Sequence, residues 1–332
     1  MAVLYVKEQG ALIQKRSERI LITRNRQTLL EIPFDSVDSI AIVGNVQVTS
    51  QALYVLMQKG IDVNYFSFSG KYLGCTAADV SKNIFLRLAQ YDLYQNKEAR
   101  MKIAKEIVAN KIRNQMYLIQ LHRWDTQDNL WKEELAQMEL MAEKTKYAES
   151  TSQLMGMEGK ASNLYFKAYG RMFKCKFEFN GRNRRPPRDP INVIISLGYT
   201  FLTKEVASAL EAESFEMYLG FLHGIRYGRK SLALDIVEEF RQPVIDRMTL
   251  KLFNKRMIQE FDFTFEEDEV LLNEEGFRKF CKEFERWMTD KEISGMDMGY
   301  RGLIREQVKQ LKSTIQQKGD YIPFCLRKSK DT

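Results

Sequence analysis

Four side chains in the C-terminal two thirds of the sequence have the types and spacing from which a divalent-cation site is built: Glu158, His223, Asp235 and Glu238. In TSQLMGMEGKASNLYFKAYGRMF (151–173), Leu154, Glu158, Ala161, Tyr165, Ala168 and Met172 recur at steps of four and three, which is one face of a helix. Glu158 therefore falls where an inward-facing apolar residue is expected. An unpaired buried carboxylate is costly, so it must be exposed after all, protonated, salt-bridged or bound to a cation. The plain alternative is a half-buried face with a solvated glutamate. His223 closes the apolar run MYLGFLH just before Gly224 and IRYGRK, and taken alone it reads as a core histidine with a satisfied ring nitrogen. Asp235 and Glu238, in SLALDIVEEFR, are i and i+3 on a helix and can point the same way, with Glu239 a competitor for that face; a solvated acidic patch is the alternative. Carboxylates with one imidazole form the ligand set of Mg2+ or Mn2+, the nitrogen favouring Mn2+. Ligands on separate helices can converge inside a helical domain. The other histidine, His122 in LIQLHRW, reads as structural.

Basic and aromatic residues surround these positions. The stretch GRNRRPPRDP (181–190) concentrates Arg182, Arg184, Arg185 and Arg188, and Arg226, Arg229 and Lys230 lie between His223 and Asp235. Arginines grip phosphate oxygens bidentately, and a proline-stiffened loop loses less entropy in doing so. Tyr165, Tyr169, Tyr199 and Tyr227 are candidates to stack on unpaired bases. The competing reading puts the tyrosines in the core and the arginines on a solvated loop.

The elements that must position these groups divide the chain in two. Short segments at 3–6, 11–14, 19–23, 29–32 and 39–43, broken by turn formers or charged pairs, partly alternate apolar and polar residues as half-buried strands do. Residues 51–59 read as a short helix stopped by Gly60, with further strands at 61–66 and 71–75 around a Ser69–Gly70 turn. From about residue 80 the periodicity becomes helical, as in 101–123, and helices are expected to about Lys318, broken by the proline-rich loop. The expected architecture is α+β: a small N-terminal β-rich domain (1–90) followed by a larger all-α C-terminal catalytic domain (91–330).

Composition bounds the partners. The 332 residues carry 51 Lys+Arg against 44 Asp+Glu, a net charge of +7, which suits a polyanion. Cys75, Cys175, Cys281 and Cys325 form no CxxC pair, which argues against structural zinc and fits reduced thiols. No secretion signal and no uninterrupted apolar run long enough for a bilayer stands out, so a cytoplasmic protein with no membrane contact is expected. No GxxxxGK[ST] loop is present.

Three runs together resemble a known family: MEGKASNLYF (157–166), NRRPPRDPINVIISLGYTFL (183–202) and GFLHGIRYGRKSLALDIVEEFR (220–241). In order and spacing they are similar to the hallmark segments of CRISPR-associated protein one, the adaptation endonuclease–integrase. The resemblance extends to IPFDSVDSIAIVGNVQVTSQAL, KNIFLRLAQY and KIRNQ, covering most of the chain. It implies a metal-dependent DNA endonuclease–integrase that inserts short duplex DNA, new spacers, into a CRISPR array by 3′-hydroxyl attack on a phosphodiester. Carried over, Glu158, His223 and Glu238 are the catalytic Mg2+ or Mn2+ ligands, Asp235 is an auxiliary acid, and Arg87, Arg184, Arg185 and Arg229 fall in segments near DNA. The implied partners are double-stranded DNA (prespacer and leader–repeat), CRISPR-associated protein two and a second copy in a homodimer. No organic cofactor is implied. Two other classes stay open: a non-catalytic nucleic-acid-binding scaffold, and a metal hydrolase acting on a small phosphorylated substrate.

Overall fold

The computed structural model describes residues 2–76, 83–123, 131–183 and 186–326. It separates into two compact units, residues 1–80 with 271–285, and residues 81–270 with 286–332.

The first unit is built from β1 (Ala2–Val6), β2 (Leu12–Arg16), β3 (Arg19–Arg24), β4 (Gln27–Pro33), β5 (Val37–Val43), β6 (Gln47–Val48), α1 (Ser50–Gln58), β7 (Asp62–Phe66) and β8 (Tyr72–Thr76). One sheet has the order β1-β5-β7-β8, with β1, β5 and β7 parallel and β8 antiparallel at the edge. The other has the order β4-β3-β2-β6, antiparallel except for the β2–β6 pair. The alternating residues Ile13, Ile20, Ile22, Ile40, Ile42 and Val63 share one core with Phe34 and Leu56. Thr49 caps α1 by accepting from the Ala52 N–H (3.3 Å), and Gly60 ends it in the left-handed region at φ +69°. All the expected strands form; β6 escapes the pattern because two residues show no periodicity.

Residues 271–285 belong to this unit although they lie far along the chain. They enter α9 (Glu274–Thr289), after the short strands β9 (Phe263–Phe265) and β10 (Val270–Leu272). Buried Lys7 explains part of the return. Its Nζ lies over the Phe277 ring at 4.4 Å and over Phe68 at 5.1 Å, and it donates to the Asn273 carbonyl at 3.4 Å.

The second unit holds α2 (Ile84–Gln95), α3 (Lys97–Arg123), α4 (Lys132–Lys144), α5 (Thr151–Gly170), α6 (Pro190–Ala212), α7 (Ser231–Phe240), α8 (Arg247–Asn254), α10 (Lys291–Ser294) and α11 (Tyr300–Ile315). Within it α3 packs against α4, α5 and α7, and α6 packs against α7 and α11. α6 starts as its sequence dictates, with Asp189 capping the Asn192 N–H (2.8 Å) and Pro190 in the first turn. By length and composition α6 is apolar enough to cross a membrane, which qualifies the expectation that no such run exists. Its most apolar stretch is 67% buried inside the protein, as a core helix would be. Between α7 and α8, Arg241–Asp246 form a π-helical turn around Pro243, a local widening that often accompanies a functional site.

Candidate functional site

α3, α5 and α7 bring two of the predicted acids together. Ser150 caps α5 on the Gln153 N–H (3.3 Å), which sets the helix so that Leu154, Ala161, Tyr165 and Ala168 are buried. Glu158, on the same face, ends at the rim, its side chain 26% exposed. Of the four outcomes open to it, the structure selects the salt bridge: Oε1 accepts from the Lys111 ammonium and from Ser162 Oγ (2.9 Å). Lys111 Nζ also lies 2.6 Å from Glu238 Oε2, and Arg241 lies 3.2 Å from Glu238 Oε1. Burial alone would push the Glu238 carboxyl up. Arg241, Lys111 and His223 outweigh it and hold the pKa at about 2, so this buried acid stays ionised.

His223 is held by a different set of contacts. The loop before it is fixed by Gln90, whose Nε2 donates to the carbonyls of Glu216 (2.9 Å) and Leu219 (3.2 Å), and by Arg100, whose Nε donates to the Phe221 carbonyl (2.9 Å). Fully buried Asp235 then accepts from the backbone N–H groups of Phe221 (2.5 Å), Leu222 (3.0 Å) and His223 (3.0 Å), and lies 2.7 Å from His223 Nδ1. Both Asp235 oxygens are taken up by these donors, and the carboxylate holds the histidine in place. A carboxylate at Nδ1 keeps the proton there and leaves the Nε2 lone pair free for a cation. Gly220 is required in this corner: a Cβ would meet the Ser231 carbonyl carbon at 2.7 Å and Asp235 Oδ2 at 2.9 Å.

A cleft of about 300 Å³ opens beside the pair, lined by Lys111, Gln115, Glu158, Ser162, Arg182 and Arg241 among others. Of these lining residues and Gln242, the buried Gln115 Oε1, Gln242 Oε1 and Arg241 Nε have no hydrogen-bond partner among the described residues. Orphan acceptors and a donor on residues that line a cleft with the Glu158 carboxylate suit a hydrated cation with a phosphate oxygen. The donor chemistry therefore fits a hard divalent ion. Among the described residues no group of three His, Cys, Asp or Glu is placed to hold a metal: Glu158 and Glu238 meet through Lys111, and His223 does not complete a set with them.

The other sequence expectations fare unevenly. Tyr165 and Tyr199 donate to Asp246 (2.6 and 2.8 Å) and Tyr169 donates to its backbone carbonyl (2.9 Å), so these three tyrosines form a buried floor and do not face a base. Arg241 stacks on Tyr199, its guanidinium carbon 4.6 Å from the ring centroid. Burial pushes the Asp246 carboxyl up, against the hydrogen bonds from Tyr165 and Tyr199, to about 6. Tyr227 is fully exposed on the turn between Gly224 and Gly228. Arg229 reaches the His223 carbonyl and Ser231 Oγ (3.1 Å), stiffening that loop. Arg87 is half-buried on α2, and Arg184 and Arg185 lie outside the described residues.

Glu239 does not compete for the Asp235 face. It turns to the C-terminal segment, accepting from Tyr321 Oη and from the Phe324 N–H (2.7 Å). Burial raises its carboxyl to about 8 despite those two bonds. A carboxyl that binds its proton more tightly folded than unfolded makes stability fall as pH rises from near its unfolded pKa towards 8. Thermal melts across that range should show this loss in the wild type and a flatter profile in Glu239→Gln; parallel profiles would rule the assignment out.

Lys111, Gln115, Ser162 and Arg241 were not singled out by sequence. Lys111 carries the signal that exposed Glu158: it shares a helical seam with buried Ala104, Ile107 and Leu118.

Comparison with known proteins agrees with the fold. The family model for CRISPR associated protein Cas1 matches residues 4–286. The chain is 34% identical to "CRISPR-associated endonuclease Cas1 3" of Thermus thermophilus, over 98% of each chain. Its structure resembles that of a CAS1 protein from Thermotoga maritima, with a TM-score of 0.84 and 27% identity over 97% of this chain and 99% of that one. It shares its fold with a casposase solved bound to an integration product, with a TM-score of 0.83 and 22% identity over 100% of this chain and 94% of the other.

Proposed function

Since the chain belongs to the Cas1 family of CRISPR-associated proteins, we propose that it is a divalent-metal-dependent DNA endonuclease–integrase that inserts short duplexes into a CRISPR array. The observation that carries the reading is a buried glutamate kept ionised beside a second glutamate at the wall of a polar cleft. A group that expensive to bury is retained where its charge is used. Glu158, Glu238 and His223 Nε2 would hold Mg2+ or Mn2+, which would polarise the phosphodiester and stabilise charge on the leaving oxygen. Arg241 and Arg182, which line the cleft, would bind non-bridging phosphate oxygens. Asp235 fixes the imidazole, and the Tyr165–Asp246–Tyr199 floor fixes the ring on which Arg241 stacks. The partners proposed with this activity are prespacer and leader–repeat DNA, a CRISPR-associated protein two dimer and a second copy of the chain.

The test is transfer of a labelled short duplex into a supercoiled plasmid carrying the array, with and without the protein-two partner, in Mn2+, Mg2+ and chelator. Glu158→Ala should lose strand transfer and plasmid nicking while duplex affinity stays near wild type. Joint loss of binding and transfer, or transfer unaffected by chelator, would refute the assignment.

A further inference from the structure

Lys111 has no role in the reaction as outlined, yet it holds the central position. Its side chain is 6% exposed, and its ammonium contacts Glu158 and lies 2.6 Å from Glu238 Oε2. Two carboxylates facing one space repel unless a cation lies between them. Arg241 does not bridge them: it pairs with Glu238 through the other oxygen, at 3.2 Å. Only one cation among the described residues spans both acids, and it stands where an ion shared by them must bind. Lys111 lines the cleft, as does Gln115, one turn further along α3, whose buried Oε1 has no hydrogen-bond partner among the described residues.

We propose that Lys111 is a built-in counter-cation that occupies the two-glutamate site until a divalent ion displaces its ammonium into the cleft, towards Gln115. The inference rests on reading Glu158 and Glu238 as a divalent-cation pair. The charge count supports the order of events. Glu158, Glu238, Lys111 and Arg241 sum to zero, so the metal-free cluster has little pull on a phosphate. A divalent ion joining the same four groups leaves +2 beside the cleft, and the released ammonium is then available to a phosphodiester oxygen. Metal binding thereby prepares the anion site.

Mn2+ binding to the full-length protein, measured by calorimetry and by the loss of free-ion EPR signal, tests this against Lys111→Met, which keeps the length of the stem and removes the charge. If the ammonium holds the site about nine-tenths of the time, the variant should bind Mn2+ about tenfold more tightly. Its metal-free melting temperature should fall, and Mn2+ should raise it further than in the wild type. Unchanged or weaker Mn2+ affinity in Lys111→Met overturns the inference. If Lys111→Met does not fold, wild-type crystals soaked in Mn2+ decide. An anomalous peak between Glu158 and Glu238 with Nζ moved off both carboxylates supports displacement, and a peak with Lys111 still bridging them overturns it. Failure of the wild type to bind Mn2+ at all overturns the two-glutamate reading itself, and the inference with it.

Discussion

Glu238→Ala is expected to cost about 3–5 kcal/mol of folding stability and to leave no strand transfer above background, the stability loss being that of a buried ion pair deprived of one partner. The magnitude follows from what stays behind. Lys111 and Arg241 both point at this carboxylate, and their side chains are only 6% and 14% exposed, so neither recovers full hydration when it is removed. The depressed pKa, set by the same two cations, points the same way. Holding the group at about 2, against 4.5 for an ordinary glutamate, corresponds to roughly 3 kcal/mol. The sign is that of an acid with a lowered folded pKa: the contribution is complete above the unfolded value and is lost as pH falls towards 2. Glu238→Gln separates charge from shape. It keeps an acceptor for one cation, so it should lose less stability than alanine does, yet it should be as inactive, because a neutral amide is a poor ligand for a hard cation. Urea melts at neutral pH and the plasmid assay read both quantities. Near-wild-type transfer by Glu238→Gln would remove the carboxylate from the metal set.

What the sequence discloses about this site follows from how local each signal is. Strands β2, β3 and β5 are legible because alternation is a property of neighbouring residues. Glu158 is legible for a similar reason: one charge interrupts an apolar stripe whose other members are all present in the same twenty residues. Lys111 interrupts such a stripe too, but lysines often lay their stems on apolar surface and keep the head in water, so the signal is weaker. The roles of Asp235 and Glu239 were not legible. They are four residues apart on one helix, and their tasks are set by groups far off in sequence: three backbone N–H groups of residues 221–223 for one, Tyr321 and Phe324 for the other. The tyrosines make the same point. Composition makes Tyr165, Tyr199 and Tyr227 equal candidates for stacking, and only packing shows that two hold Asp246 in the floor while the third is in solvent. The return of residues 271–285 to the β-rich unit brings Lys7 against Phe277, a pairing no contiguous window contains.

Asp235→Asn is expected to lower Mn2+ affinity or strand transfer by about 10- to 100-fold if His223 binds metal as proposed, the range for a partner that orients a metal-binding histidine. The amide cannot satisfy what the carboxylate satisfies. If its nitrogen takes the place of Oδ2, it faces the N–H groups of Phe221 and Leu222, at 2.5 and 3.0 Å in the wild type. If it takes the place of Oδ1, it faces the His223 N–H and donates to Nδ1, which drives the imidazole proton to Nε2, the nitrogen a cation needs. Each buried donor left without an acceptor costs about 1–3 kcal/mol, so both orientations also lose stability. The two failures can be told apart by the 15N shifts of the His223 ring. In the wild type Nδ1 should carry the proton at neutral pH. In Asp235→Asn either the tautomer reverses, or it is kept while the 221–222 backbone loses protection against hydrogen exchange. A variant with the wild-type tautomer, wild-type exchange and full transfer activity would show that His223 needs no help from Asp235. The imidazole would then have to be oriented by Arg229 and Arg100, which hold the surrounding carbonyls.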